Sequence, residues 1–494
     1  MAHSEEKQNQ PFKKKGEWWI PGSDCKVVGE LDYSVRRMEL RLNDILHRPV
    51  LDQRSLSRPE DDQPAVIHGH TTENDEVTLY KSWYQSWRPI GRRTQINETI
   101  LVSHVALFGG HFAQIESQLF ESCSFQLAGL DEWISHNAFD STQENEGSDT
   151  VFVTKAKLGQ ARTFDTAVGT FDLGAWVATR GAGYQVTLSH EWVLQLTPHS
   201  PRDLNWFMKV IRHAERLLTL FCSEPIHSLT CRLHLTKDDP ARHSLAMSIY
   251  GCRLFFSHKR APEKQLRRFD FLVQYERIRE HLPAVFASWF SDDDSLDDAL
   301  HLFFSTIYQP GEYLETRFLP MAQALEVFSR ELYQDTYIDQ AEAKRVLRQI
   351  RSGFDANWNK GFVRSISDRI AYANEPTLRD RLTMLIERLE EPTRHLFCVD
   401  HKRFVGGIVA SRNFHTHYSS GRELALKGLE LHWATAKMHL LMTVFLLQRA
   451  GLSESLIRES LGDCYWTSAE RAAWRNVRED ARQDDREATP PRAD

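Results

Sequence analysis

No Cys-x-x-Cys pair occurs among the seven cysteines of this chain, and the count is odd. That pattern excludes a disulfide framework and paired-thiolate zinc sites, so reduced thiols are expected. No apolar run reaches the length of a membrane span. The longest, MHLLMTVFLL (438–447), is about half of what a bilayer requires. The opening MAHSEEKQNQPFKKKGEWW has no apolar segment and does not read as a signal peptide, so a cytoplasmic location is expected. A general excess of positive charge is also missing. The formal net charge is −7, which excludes a generic nucleic-acid coat. Gly109-Gly110 in LFGGHF lies outside any GxxxxGK[ST] or GxGxxG context, so no nucleotide loop is read there. No HExxH or facial carboxylate set occurs, so neither a metal nor a cofactor is expected.

What is present is ordinary globular material, 41% hydrophobic and 26% charged over 494 residues, enough for two or three domains. Residues 1–15 and the charged stretch 461–494 read as disordered ends. From 16 to 295 the texture is mostly strand. CKVVGELDY, EVTLYKSW, ETILVSHVALF, TVFVTKAKL, GYQVTLSHEWVLQL, LTCRLHL and LAMSIYGCRLFF are short, β-branched or aromatic, and bounded by turn residues. One amphipathic helix is expected over 201–222, with Pro201 in its first turn. A division of this region into two lobes is expected near 160–200. From 296 to 460 helical periodicity takes over, ending in one long helix across 421–451 that Gly451 closes. The fold class expected is therefore multidomain α+β: a β-rich N-terminal region with inserted helices, then an all-α bundle. Trp18, Trp19 and Trp133 are expected in the core.

Charge is uneven along the chain. Residues 301–450 carry 20 Lys and Arg against 17 Asp and Glu, a small positive balance in an acidic protein. Inside that region lies ASRNFHTHYSSG (410–421), which puts Arg412, Asn413, His415 and His417 within six residues. An Arg and a following His with four to six residues between them are weak evidence, since about six such pairs arise by chance in this composition. Arg41 with His47, Arg253 with His258 and Arg394 with His401 are such pairs. Arg412 differs because Asn413 follows it directly and because the setting is helical. Asn413 and His417 share a helix face, about 40° apart, whereas Arg412 and His417 are about 140° apart. The residues alone leave three readings open: a catalytic site, solvated helix-end side chains in a bundle that serves only for dimerisation, or a metal site built on His415 and His417 with His401 or His432.

Arg-Asn-x-x-x-His in a C-terminal helical bundle resembles the HEPN-domain ribonucleases. Four N-terminal phrases, GEWWIPG (16–22), GELDY (29–33), HVALFGGHF (104–112) and FQLAGLDEW (125–133), resemble in their order the N-terminal region of the ApeA family of bacterial antiphage proteins. That resemblance implies an abortive-infection defence protein whose metal-independent RNA endonuclease is held inactive by the N-terminal region until a phage component is sensed. It implies Arg412, Asn413 and His417 as catalytic residues, an RNA substrate with tRNA compatible, and a homodimer or higher oligomer through the HEPN domain. RNA brings its own nucleophile, the 2′-OH. His417 suits proton transfer near neutrality, and the forked Arg412 suits a phosphoryl oxygen. His415 is expected to face solvent or RNA, and Tyr418 to pack beside the site or in the core. A non-catalytic sensor or scaffold is the competing reading. The basic runs KRVLRQIR (344–351) and HKRAPEKQLRR (258–268) are read as solvated faces or as guides for RNA.

Overall fold

In the first strand, FKKKGEWW, every second residue turns inward. Gly16 and Trp18 point into a core, while Lys13, Lys15 and Glu17 face out. The inward Lys14 is buried beside Glu73 and Asp75, its Nζ 3.5 Å from the latter. This strand includes residues 12–15, which composition assigned to a disordered end. Its outward lysines make a paired strand read as a polar tail.

The computed structural model describes residues 10–34, 36–46, 64–90, 96–146, 149–182, 185–237, 239, 251–256, 266–291, 294–309, 313–333, 336–355, 357–397, 400–417 and 423–463. The chain divides into two units, residues 1–292 and 293–494. The first begins with six antiparallel strands, β1 (Phe12–Trp19), β2 (Val27–Ser34), β3 (Arg37–Leu42), β4 (Val66–Thr71), β5 (Glu76–Ile90) and β6 (Ile96–Phe108). Their order, β6-β3-β2-β1-β4-β5 with β5 pairing back to β6, closes a barrel. Trp18, Leu31, Tyr33, Met38, Leu40, Ile67, Leu79 and Leu101 fill it.

β6 serves two sheets. One edge pairs with β5. The other pairs with β3 over Thr99–Val102, then over Val105–Phe108 with β15 (Cys252–Phe256). From β15 the sheet continues through β14 (Ser228–Leu235), β7 (Leu119–Leu127), β12 (Gln185–Thr197), β11 (Gly169–Ala182) and β10 (Arg162–Thr166). Strands β8 (Phe139–Glu146) and β9 (Asp149–Ala156) form a separate hairpin, and the short β13 (Arg202–Asp203) pairs with β7. The expected lobe division at 160–200 is not what the strands do. Residues 162–197 belong to the same sheet as β7 and β14, and the change of architecture falls at β6.

Helix α1 (Leu130–Ile134) carries Trp133, buried with its indole N–H donating to the Val273 carbonyl at 2.8 Å. Trp18 is likewise buried, but Trp19 lies half-exposed under Lys26. Helix α2 (Leu204–Cys222) starts at Asp203, whose carboxylate accepts from the Trp206 N–H at 3.0 Å, so Pro201 lies ahead of the helix. Short helices α3 (Tyr275–Ile278) and α4 (Leu282–Trp289) end the unit. Among the described residues, Cys25, Cys123, Cys222, Cys231 and Cys252 form no disulfide.

The second unit is helical: α5 (Asp297–Tyr308), α6 (Leu314–Tyr333), α7 (Gln340–Ser352), α8 (Lys360–Ile370), α9 (Leu378–Glu387), α10 (Glu391–Phe397), α11 (His401–His417), α12 (Gly428–Arg449) and α13 (Glu454–Asp463). Helix α6 is the hub and packs against α5, α9, α11 and α12. Phe318, Met321, Leu325 and Phe328 form its buried side. The long helix begins at Gly428, φ +50°, rather than at 421, and ends before Gly451, whose φ of +86° is the left-handed turn expected there. Residues 461–463, read as tail, are the last turn of α13; 464–494 lie outside the described residues. No described helix is long and apolar enough to cross a membrane.

Candidate active site on the eleventh helix

Helix α11 begins at His401 behind Asp400, whose carboxylate accepts from the Arg403 N–H at 3.0 Å. It carries the whole Arg-Asn-x-x-x-His motif and ends on His417. Ser411 anchors it from the preceding position. Fully buried, its Oγ donates to the Gly407 carbonyl at 2.7 Å and accepts the Leu426 N–H at 2.9 Å. The chain returning from the motif is thereby fastened to the helix. Gly407 permits that approach, because a Cβ there would sit 3.0 Å from the Leu426 side chain.

Arg412 turns toward α6. Its Nη2 lies 3.9 Å from Glu326 Oε2, and Nη1 reaches Asn413 Oδ1 at 3.5 Å. Its side chain is 38% exposed and that of Glu326 is 22% exposed, so the pair sits at a rim with one side open. Glu326 also takes Arg330 at 3.3 Å, and Arg330 reaches Glu375 at 3.8 Å. Glu375 in turn meets the buried Arg381 of α9 at 3.8 Å. Three arginines and two glutamates thus alternate from the motif into the bundle. Alternation keeps each guanidinium beside an anion while one positive charge remains uncompensated by the set. Glu326 was not picked out from sequence. Its signal was an acid recurring with Arg330 at i,i+4 on a helix that otherwise buries apolar side chains.

Asn413 is exposed on the outer side of α11. His415 does not face solvent as expected. It packs against α6, its ring 6.3 Å from Phe318 and 5.1 Å from Phe414, with a buried Nε2 that has no hydrogen-bond partner. Arg412 and His415, three residues apart, therefore both look toward α6. The backbone stays helical through His417, so the Arg412 and His417 positions keep their offset of about 140° around the helix axis; the His417 side chain lies outside the described residues. No break in the helix brings the two together within the motif. Among the described residues no cluster of three or more His, Cys, Asp or Glu could hold a metal ion. Tyr418, and residues 258–265 of the second basic run, lie outside the described residues.

Residues 13–289 match the family profile described as ApeA N-terminal domain 1, and residues 319–456 match the one described as Apea-like HEPN. The second match contains α11 and its motif. No curated protein and no solved structure matches the chain.

Proposed function

Because the chain belongs to the ApeA family, with a HEPN domain of the antiphage-defence type at its C-terminal end, we propose that it is a metal-independent RNA endonuclease. Its work is abortive infection in the bacterial cytoplasm, by cleavage of an RNA, with a tRNA compatible as the substrate. The observation that carries this reading is Arg412: a guanidinium held by Glu326 and still open on one side, five residues before a histidine, within the HEPN match.

The chemistry follows from RNA itself. The substrate 2′-oxygen attacks its neighbouring phosphorus, the P–O5′ bond breaks, and the products are a 2′,3′-cyclic phosphate and a 5′-OH end. A base removes the 2′-OH proton and an acid returns one to the departing 5′-oxygen. His417 serves one of these steps. Two motifs meeting across a homodimer supply both, with His417 of the second copy as the other group. Arg412 stabilises the negative charge that builds on the phosphoryl oxygens. Asn413, on the His417 side, donates to phosphate or holds the imidazole. The N-terminal unit restrains this activity until a phage component is sensed, because an unrestrained ribonuclease would destroy its host.

The test is mapping of the RNA ends produced in infected cells that carry the chain. Cyclic phosphate at discrete sites is expected, with His417→Ala slower by roughly 10²–10⁴-fold at unchanged fold. Equal cleavage by that variant overturns the site. Phage protection that survives both Arg412→Ala and His417→Ala would point instead to a non-catalytic scaffold.

A further inference from the structure

Between α6 and α9 the chain makes an excursion with no core of its own. Its base is pinned: Asn374 Oδ1 accepts the Ile338 N–H at 3.0 Å, its Nδ2 donates to the Ile338 carbonyl at 2.9 Å, and Tyr337 N–H reaches the Asn374 carbonyl at 3.1 Å. Beyond that clasp, α7 buries only Ala343 and α8 buries no residue at all. An Arg351 guanidinium donating to the Ser367 carbonyl at 3.5 Å ties the two helices together. Helices in water are normally held by a buried apolar face, so an arm that buries almost nothing has a surface awaiting an occupant.

Two features say which occupant. First, the turn between the helices carries an aromatic ladder. The Phe354 and Trp358 rings are 5.8 Å apart, those of Trp358 and Phe362 are 6.4 Å apart, and the last two residues are 43% and 58% exposed. Second, residues 340–372 hold seven Lys and Arg against three Asp and Glu, in a chain of net charge −7. Arg348 and Arg351 precede the ladder, Lys360 lies within it and Arg364 follows it, and all four are exposed. Flat rings interleaved with cations match bases and phosphates respectively: bases stack on aromatic faces without regard to sequence, while cations follow the backbone. A second copy of this chain fits less well. A two-fold contact would place this positive face against itself.

We propose that the α7–α8 arm is a capture surface for single-stranded RNA, stacking bases on Trp358 and Phe362 and holding phosphates with the flanking cations. The proposal extends the ribonuclease reading, on which its biological purpose rests, but concerns residues outside the catalytic motif. It also gives the basic run 344–351 a role.

The test uses the full chain carrying His417→Ala and a fluorescent oligouridylate of roughly 16 nucleotides. Adding Trp358→Ala with Phe362→Ala should weaken binding about tenfold or more and leave its salt dependence unaltered. Trp358→Tyr, which keeps a stacking face, should retain most of the affinity. Replacing Arg348, Arg351 and Lys360 with Glu should flatten the plot of log K against log salt, by roughly 0.7 for each phosphate no longer neutralised. Circular dichroism and light scattering accompany each variant. Unchanged affinity in both sets overturns the proposal. So does a change of molecular mass in the arm variants, which would make the arm a self-association face. Cleavage by the same arm variants with His417 restored, measured in extracts of infected cells so that the restraint is lifted, separates the two readings. RNA that binds the arm but is never cut removes the nuclease assignment alone, whereas RNA cut with an unchanged KM removes the arm alone.

Discussion

Arg412 owes its orientation to Glu326, and the pairing has a kinetic consequence. An arginine at a rim loses side-chain freedom each time it engages a phosphate, and an acid 3.9 Å away limits that freedom beforehand. Glu326→Gln should lower kcat about tenfold with KM for RNA little changed. A rise in kcat would show instead that Glu326 withholds the arginine. His439 makes a second prediction at this scale. It is stacked on Phe303, and burial, then the charge of Arg317, pulls its pKa down to about 4 from 6.5. Between these values the unfolded chain binds a proton that the folded chain refuses. The stability is therefore complete above about 6.5 and declines as the pH falls toward 4, by roughly 3 kcal/mol at most. His439→Phe should flatten that acid limb in thermal melts of the helical unit, and an unaltered slope would assign it to other groups.

Among the helices, α11 is fastened at its motif end through Ser411. Ser411 Oγ is the acceptor for the Leu426 N–H, in a place where no water reaches the serine. Ser411→Ala leaves that amide without its partner and should cost about 1–3 kcal/mol, read as a lower melting temperature. Because Ser411 precedes Arg412 directly, the same variant should lose activity below its melting point. Wild-type activity at 25 °C would separate the fastening from the site. The helix also shows why spacing was a poor guide. Regular helical geometry through His417 keeps the motif's two end positions about 140° apart, and the proposed site is therefore one that a second copy would complete.

At the scale of the whole molecule, the two units divide in kind as well as in sequence: a closed barrel continuous with a second sheet, and a helical bundle. If the first restrains the second, residues 293–494 expressed alone should be more toxic to cells than the full chain, and His417→Ala should abolish that toxicity. Equal toxicity of the two forms would place the restraint elsewhere.

Local pattern already carried the class of each region. Short β-branched and aromatic runs bounded by turn residues marked β2, β5, β6, β12 and β14, and helical periodicity marked α5 and α6 from end to end, because burial on one face imposes its period on a helix. The Arg-Asn-x-x-x-His motif was legible for a different reason: chemistry restricts which residue types can serve it. Long-range partnership left no such trace. β1 was hidden because its inward Lys14 is neutralised by acids some sixty residues away, and barrel closure is a pairing of strand edges that no single strand encodes. His415 and Glu326 likewise took their places only when α6 and α11 packed. A residue's period says which side it turns, but the neighbour on that side is set by the fold.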